Sequence, residues 1–255
     1  MGVERLSELL DLLCARSGTV CAVGAGGKKT TLYHLAVLHP GRVGLTCTVP
    51  NAHFPCSLGA HVVIAEATEL RSHVVEAATA HRLVAFAHPS DKPGRFGGVA
   101  PDLVAEIRQA ADFDLTLVKC DGARMRWIKA PEAQEPVIPE GSTTVLPVVS
   151  AKAFGAPLTE SVAHRLSRVE ALSGAEYGDI LTTEHVARLL THEDGALKST
   201  GDAAVVPIIN MVDNSDLEAQ AREAAQVALE LTGRFERVVL TSHLQPARLV
   251  DVVSR

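Results

Sequence analysis

Aromatic side chains are scarce in this chain: they make up 4% of its 255 residues, with a single tryptophan. A protein so poor in Phe, Tyr and Trp is ill supplied for an all-β sandwich, whereas its many Ala, Val and Leu residues suit stacked layers of helix and sheet. A basic field is missing too. The formal charge of −6 offers little with which to hold a polynucleotide's phosphates, so nucleic acid is not expected as a partner. A small anion stays open, because a local nest of amides binds anions on an acidic protein as well. The five cysteines are odd in number and contain no CxxC pair, which predicts a reducing compartment without structural disulfides. No apolar run approaches the ~20 residues that cross a bilayer, so no membrane is expected as a partner. The early segment VERLSELLDLLC carries four charged side chains before residue 12, which no signal-peptide core tolerates. A cytoplasmic protein is expected.

What is present is a 47% hydrophobic chain in which short apolar runs alternate with helical patterns. Strands are predicted at 19–23, 42–48, 61–66, 82–87, 115–120, 143–150, 203–210 and 237–242. Most are apolar throughout, as befits parallel strands covered on both faces. Helices are predicted at 28–38, 68–80, 101–111, 159–172, 183–192, 215–232 and 246–253, with start signals at Thr68 and at Asp213 to Asp216. The βαβα order implies an α/β fold with an open, mostly parallel, doubly wound sheet. We read residues 1–255 as a single domain with a mostly helical insertion at about 151–200. The Pro- and Gly-rich stretch 88–100 reads as a surface loop able to move over a ligand, and 121–142 as a second irregular loop at the ligand-binding edge.

The sharpest chemical signal is VCAVGAGGKKTTLY, residues 20–33. A buried strand runs into glycines and a helical pattern opens at the lysines, so successive amides and the helix N-terminus can cradle phosphate. The usual spacing is GxxxxGK[ST]. Lys28 comes two residues too soon for it and Lys29 one, so spacing alone leans towards Lys29. Gly24, Ala25, Gly26, Gly27, Lys28, Lys29, Thr30 and Thr31 are the candidate phosphate binders, with a threonine hydroxyl for magnesium. The plainer alternative is a glycine turn joining strand to helix.

LTLVKCDGAR ends a predicted strand in Asp121-Gly122. An aspartate there can hold magnesium, and the glycine lets the backbone approach a terminal phosphate; alone, Asp-Gly is a common turn. Arg124, Arg126 and Lys129 follow, as anion binders or as solvated charges. VPIINMVDN ends a late strand and precedes VVLTSHL. Guanine-nucleotide enzymes read their base with an NKxD motif, and here Asn210 and Asp213 are in place with Met211 for the lysine. The alternative is a turn and a helix cap. Thr46, Cys47 and Thr48 end a strand near the same crevice. His53, Cys56 and His61 match no standard zinc spacing.

The segments VGAGGKKTTL, LTCT, VKCDGARMRWIKAPEAQEPVIP, AHRLSRVEALSG, TTEHVARLLTHEDGALKS and VPIINMVDN, in that order, resemble the selenium-dependent molybdenum hydroxylase accessory proteins, the YqeC-like family. The resemblance implies that Gly24, Gly26, Gly27, Lys28 and Thr30 form a nucleotide loop joined by Asp121, Gly122 and Lys129. Catalytic roles are thus expected of Lys28, Lys29 and Asp121, and magnesium contacts of Thr30 and Asp121. The ligand would be Mg-ATP or Mg-GTP, and the partner a molybdenum hydroxylase or its cofactor. The expected activity is nucleoside triphosphate hydrolysis; a non-catalytic cofactor chaperone, or phosphoryl or nucleotidyl transfer to a small molecule, are the alternatives. The chain departs from the family pattern at the Lys28-Lys29 pair, at Cys47 and at Met211.

Overall fold

A computed structural model of the protein describes residues 8–245 and 248–255. After a helical stretch at 8–12 the elements run β1 (Gly18–Gly24), α1 (Lys28–Leu38), β2 (Val43–Cys47), β3 (Asn51–Ala52), β4 (His61–Ile64), α2 (Ala67–Ala80), β5 (Leu83–Ala87), β6 (Arg95–Phe96) and α3 (Pro101–Ala110). They continue with β7 (Leu115–Lys119), β8 (Ile128–Lys129), β9 (Thr144–Ser150), β10 (Ala163–His164), α4 (Leu166–Ser173), α5 (Thr183–Thr191), β11 (Ala204–Val205), β12 (Ile208–Asn210), α6 (Ser215–Leu231), β13 (Arg237–Thr241) and β14 (Leu249–Ser254).

Among the described residues ten strands form one sheet in the order β14-β13-β12-β9-β1-β7-β2-β5-β4, with β11 beside β9. All its pairs are parallel except β13 with β14. The fold is therefore α/β with a mostly parallel sheet. Both faces are covered, which is why the central strands read as unbroken apolar runs. Val20 and Ala22 of β1 pack with Leu32 and Leu35 of α1 and with Leu9 and Leu13 before them. Cys21 and Val23, pointing the other way, pack with Leu70 and Val74 of α2 and Val104 and Ile107 of α3. Val149 of β9 and Ile209 of β12 pack under α5 and α6 through Val186, Leu190, Ala221 and Ala225.

The element boundaries show which local signals held. α3 starts on Pro101, whose fixed φ suits a first helical position. Asn214 caps α6 by accepting from the Leu217 amide at 2.9 Å. Thr68 is not a cap: α2 begins at Ala67, behind Glu66, with no side-chain capping bond. The predicted strand 203–210 divides into β11 and β12, because Pro207 has no amide to donate to a ladder. The predicted helix 159–172 begins only at Leu166, since Ala163 and His164 pair with Ile128 and Lys129. The predicted helix 246–253 falls partly outside the described residues. From Leu249 onward it is β14, antiparallel to β13, where LVDVV places β-branched residues in a strand.

Stretch 88–100 is tied down rather than free: β6 pairs with β3, and the Val99 amide donates to Cys47 O at 2.8 Å. Among the described residues no helix is long and apolar enough to cross a membrane.

Leu117 is fully buried on β7, which lies between β1 and β2. Leu117→Ala is expected to lower stability by about 2–5 kcal/mol through lost transfer energy and the cavity left behind, read from the urea unfolding midpoint.

Candidate functional site

β1 lies between β7 and β9, with the strands that follow it in sequence spread to both sides. The carboxyl ends of β1, β7, β9 and β12 therefore meet where the strand order reverses, the place at which open α/β sheets leave a crevice. β1 delivers the glycine turn to it. Gly24, Gly26 and Gly27 have φ of 90°, 85° and 126°, a region that side chains other than glycine's rarely enter. Space demands glycine as well: a Cβ would come within 2.3 Å of Val148 O at Gly24, 2.5 Å of Ser150 N at Gly26 and 2.1 Å of Asn210 Nδ2 at Gly27. The turn is thus pressed against the ends of β9 and β12. The Ala25 amide donates to Val148 O at 2.8 Å. The amides of Gly26, Gly27, Lys28, Lys29 and Thr30 meet no acceptor among the described residues, so the loop and the positive end of α1 present free donors together.

The two lysines diverge. Lys28 is 5% exposed and its ammonium reaches back to Gly24 O and to Asp121, lying 2.8 Å from Oδ1. Lys29 and Thr30 are exposed. Thr30, expected on magnesium, is two residues past Lys28, about 200° around the helix from it, and is not brought to the Asp121 cluster. Thr31 is buried and donates to Gly27 O at 3.3 Å, holding the first turn of α1.

Asp121 follows β7 and is 1% exposed. Its Oδ2 accepts from the Gly24 amide at 2.9 Å and lies 3.0 Å from Lys129 Nζ, while Oδ1 has no well-directed hydrogen bond despite the nearby Lys28 ammonium. Burial pushes this carboxyl up, but Lys28 and Lys129 more than offset it and hold it below the usual carboxylate range. Burial likewise lowers Lys28, with Asp121 opposing.

Lys129 bonds Gly122 O at 2.7 Å and Glu135 at 2.8 Å, and Arg165 reaches Glu132 at 2.9 Å and Glu135 at 3.4 Å. Lys198 donates to the carbonyls of Glu132 and Ala133. A narrow cavity here has Gly24, Asp121 and Lys129 on one side and Leu189, Leu190 and Ala196 on the other. Segment 151–200 therefore roofs the site.

Sequence reasoning passed over Lys119, which ends β7 and is 8% exposed. Burial, then the charge of neighbouring Lys28, lowers its pKa to about 8. A lysine closing an otherwise apolar strand was the available signal. Glu135 and Arg165 left none, for they meet only in three dimensions.

At the other end of the crevice Asn210 is fully buried; its Nδ2 donates to Gly26 O at 2.7 Å and its Oδ1 accepts from Thr241 at 2.9 Å. Asp213 accepts from Ser242 at 2.7 Å. His34 and His243 line a second small cavity with Thr31 and Arg248. Burial, then Arg248, lowers both histidines, His34 to about 4.

The remaining candidates are spent on structure or lie apart. Thr46 donates to Phe86 O at 2.7 Å and Thr48 to Val137 O at 2.6 Å. Burial raises the thiol of Cys47 to about 11 and that of Cys120 well above its usual value, so neither is a ready nucleophile at neutral pH. His53 stacks on Phe96 and His61 on His81; among the described residues no group of three metal-ligating side chains is assembled. Arg126 is bound to Glu160 O and Arg124 O, away from the Asp121 cluster.

The electrostatics predict an acid profile. His34 and His164, both at about 4 in the folded chain, take up protons in the unfolded chain near 6.5. Unfolded chains bind the extra protons between those values, so stability is expected to fall as pH drops from about 6.5 to about 4. Asp121, depressed when folded, keeps its contribution above about 4 and loses it as pH falls through its folded value. Asp121→Ala leaves two buried ammonium groups poorly paired and is expected to cost about 3–5 kcal/mol at pH 7, measured by urea titration across pH.

A family model described as "YqeC protein" matches residues 20–167, from the middle of β1 into the start of α4. The chain is also similar to "Uncharacterized protein YqeC" of Escherichia coli (strain K12), at 29% identity over 207 residues that span 77% of each chain. The matched region contains the glycine turn, Lys28, Lys119, Asp121, Lys129, Glu135 and Arg165, so the chain belongs to the YqeC family.

Proposed function

We propose that the chain binds a magnesium nucleoside triphosphate at the turn from Gly24 to Lys28 and hydrolyses it to drive a conformational step. The observation that carries this reading is the convergence of free loop amides, the N-terminus of α1 and the buried Lys28 and Lys119 beside an ionised Asp121. Amides and helix dipole suit an oxyanion wherever they meet. Lys28, Lys119 and Lys129 outnumber Asp121 and Glu135 around the turn, so the pocket is left with positive charge that an anion would neutralise.

In the free protein Lys28 is held by Gly24 O and Asp121. An incoming terminal phosphate competes for that ammonium, and the loop amides then neutralise the charge that builds on the phosphoryl oxygens. Asp121 fits magnesium as the one protein carboxylate, since its Oδ1 is buried without a well-directed donor; magnesium often keeps waters and takes one or two carboxylates plus phosphate oxygens. When bound, the ion would supply Lewis-acid polarisation of a phosphate oxygen. Thr30 does not suit this role from its outer position on α1. As Lys28 moves from carboxylate to phosphate, the balance at Lys129 changes, and Lys129 leads through Glu135 and Arg165 to the roof.

The purpose we propose for that step is assistance in maturing a selenium-dependent molybdenum hydroxylase. Its support is the likeness of VGAGGKKTTL and VKCDGARMRWIKAPEAQEPVIP to that accessory family.

Phosphate affinity is expected to follow Lys119. Charged below about 8, it attracts the anion; as pH rises through about 8 its proton is lost, and affinity falls by up to about tenfold per pH unit. Calorimetry with inorganic tripolyphosphate between pH 7 and 9 checks this, and Lys119→Met should blunt the fall. Lys28→Ala is expected to abolish Mg-nucleotide binding and phosphate release, and Lys29→Ala to weaken binding no more than about tenfold, as an exposed charge does. Retained turnover in folded Lys28→Ala protein contradicts the proposal.

A further inference from the structure

We propose that the base read by this site is guanine and that Asp213 is the residue that selects it, an inference that rests on the phosphate-loop reading above. Asn210 places the base end of the crevice. Its side-chain nitrogen holds Gly26 O, its oxygen is held by Thr241, and Gly27 passes so close that a Cβ would meet Asn210 Nδ2 at 2.1 Å. The ends of β12 and β13 are therefore fastened to the phosphate turn. A ligand anchored there by its phosphates has the residues after Asn210 and Thr241 beside it.

Asp213 stands in that position, and its bond to Ser242 occupies only one of its two oxygens. It is not the cap of α6, because Asn214 takes that role. Its Oδ1 accepts from Ser242 Oγ at 2.7 Å, and Ser242 is in turn held by the Leu244 amide at 3.2 Å. Among the described residues its Oδ2 has the half-exposed Lys152 ammonium, 3.6 Å away and beyond hydrogen-bond reach. A carboxylate oriented by a serine and left with open acceptor sites is built to receive donors.

Guanine supplies them. Its N1–H and 2-amino group lie side by side and match the two oxygens of one carboxylate. Adenine offers on that edge a ring-nitrogen lone pair and a C–H, which leave the carboxylate unpaired and repelled. Uracil offers one N–H between two carbonyls. Apolar surface is at hand for a purine ring: Met211, left-handed at φ 63° with its sulfur accepting from Ser150 Oγ at 3.1 Å, and Leu244, 77% exposed two residues beyond Ser242. A thioether stem suits an aromatic face.

Equilibrium binding of GTP, ATP, XTP and inorganic tripolyphosphate to the full chain tests the assignment. GTP is expected to bind at least ~100-fold more tightly than ATP, because a polar site built for paired donors rejects the ligand lacking them. Tripolyphosphate should compete with both. In Asp213→Asn, GTP affinity is expected to drop ~100-fold and XTP to become the better ligand, since the amide donates to xanthine O2 while accepting from N1–H; tripolyphosphate affinity stays as in the parent. Ser242→Ala, which removes the hydroxyl that orients the carboxylate, should narrow the GTP-to-ATP ratio by about tenfold while tripolyphosphate affinity stays as in the parent. Equal binding of GTP and ATP, with tripolyphosphate still bound, overturns the guanine assignment alone. Failure of tripolyphosphate and of every nucleotide to bind overturns the phosphate reading and this inference with it.

Discussion

A single buried carboxylate organises the glycine-turn end of the crevice. Asp121, 1% exposed, holds the Gly24 amide, the Lys28 ammonium and the Lys129 ammonium at once. These belong to the glycine turn, the first turn of α1 and the segment after β7. Desolvating one carboxylate and two ammonium groups is costly, and only their mutual attraction and hydrogen bonds offset it. The arrangement is therefore intolerant of losing a member and sensitive to a ligand that claims one. A protein that needed only a rigid joint between strand and helix would do as well with apolar packing at this point.

The same cluster gives the roof over the crevice a physical link to the turn. Lys129 is shared between Asp121 and Glu135, and Arg165 binds Glu135 and Glu132 just ahead of α4. Lys198 grips the Glu132 and Ala133 carbonyls from the far end of the roof. A change of charge at Asp121 reaches α4 and residue 198 through contacts of about 3 Å each, without a long lever. In the proposed cycle this is how phosphate occupancy becomes a movement of the roof.

The two ends of the crevice are built from different chemistry. Around Gly24 the groups are cationic and buried, which suits a charged ligand that carries no further identity. Around Asn210, Thr241 and Ser242 the groups are hydrogen-bonded within the protein, while Asp213, oriented by Ser242, keeps acceptor sites open, which suits discrimination between ligands of equal charge. Asn210 joins the ends, so that any displacement of the turn is felt by β12 and the residues that follow it.

Much of the fold was legible because parallel strands covered on both faces must be apolar throughout, and runs such as TVCAV and LTLVKC are. The errors came where tertiary pairing overrode a local pattern. Ala163 and His164 lie ahead of a helical pattern but pair with β8, and LVDVV reads as a helix end until β13 lies beside it. The loop at 88–100 looked free because its Pro and Gly content says nothing of the bonds it makes to β2 and β3.

The sequence by itself determined what is local: the strand, the glycines that alone tolerate φ near 90°, a helix opening at the lysines, and a carboxylate at the end of a strand. Only the tertiary structure decided which neighbours face inward. Lys28 and Lys29 are equivalent by composition, and Lys28 turns in because the pitch of α1 against β1 and β7 aims it at Asp121, while 100° of rotation carries Lys29 to solvent. Glu135 and Arg165 joined the site for the same reason: their segments are far apart in the chain, and burial and packing, not spacing, set the distances between charges.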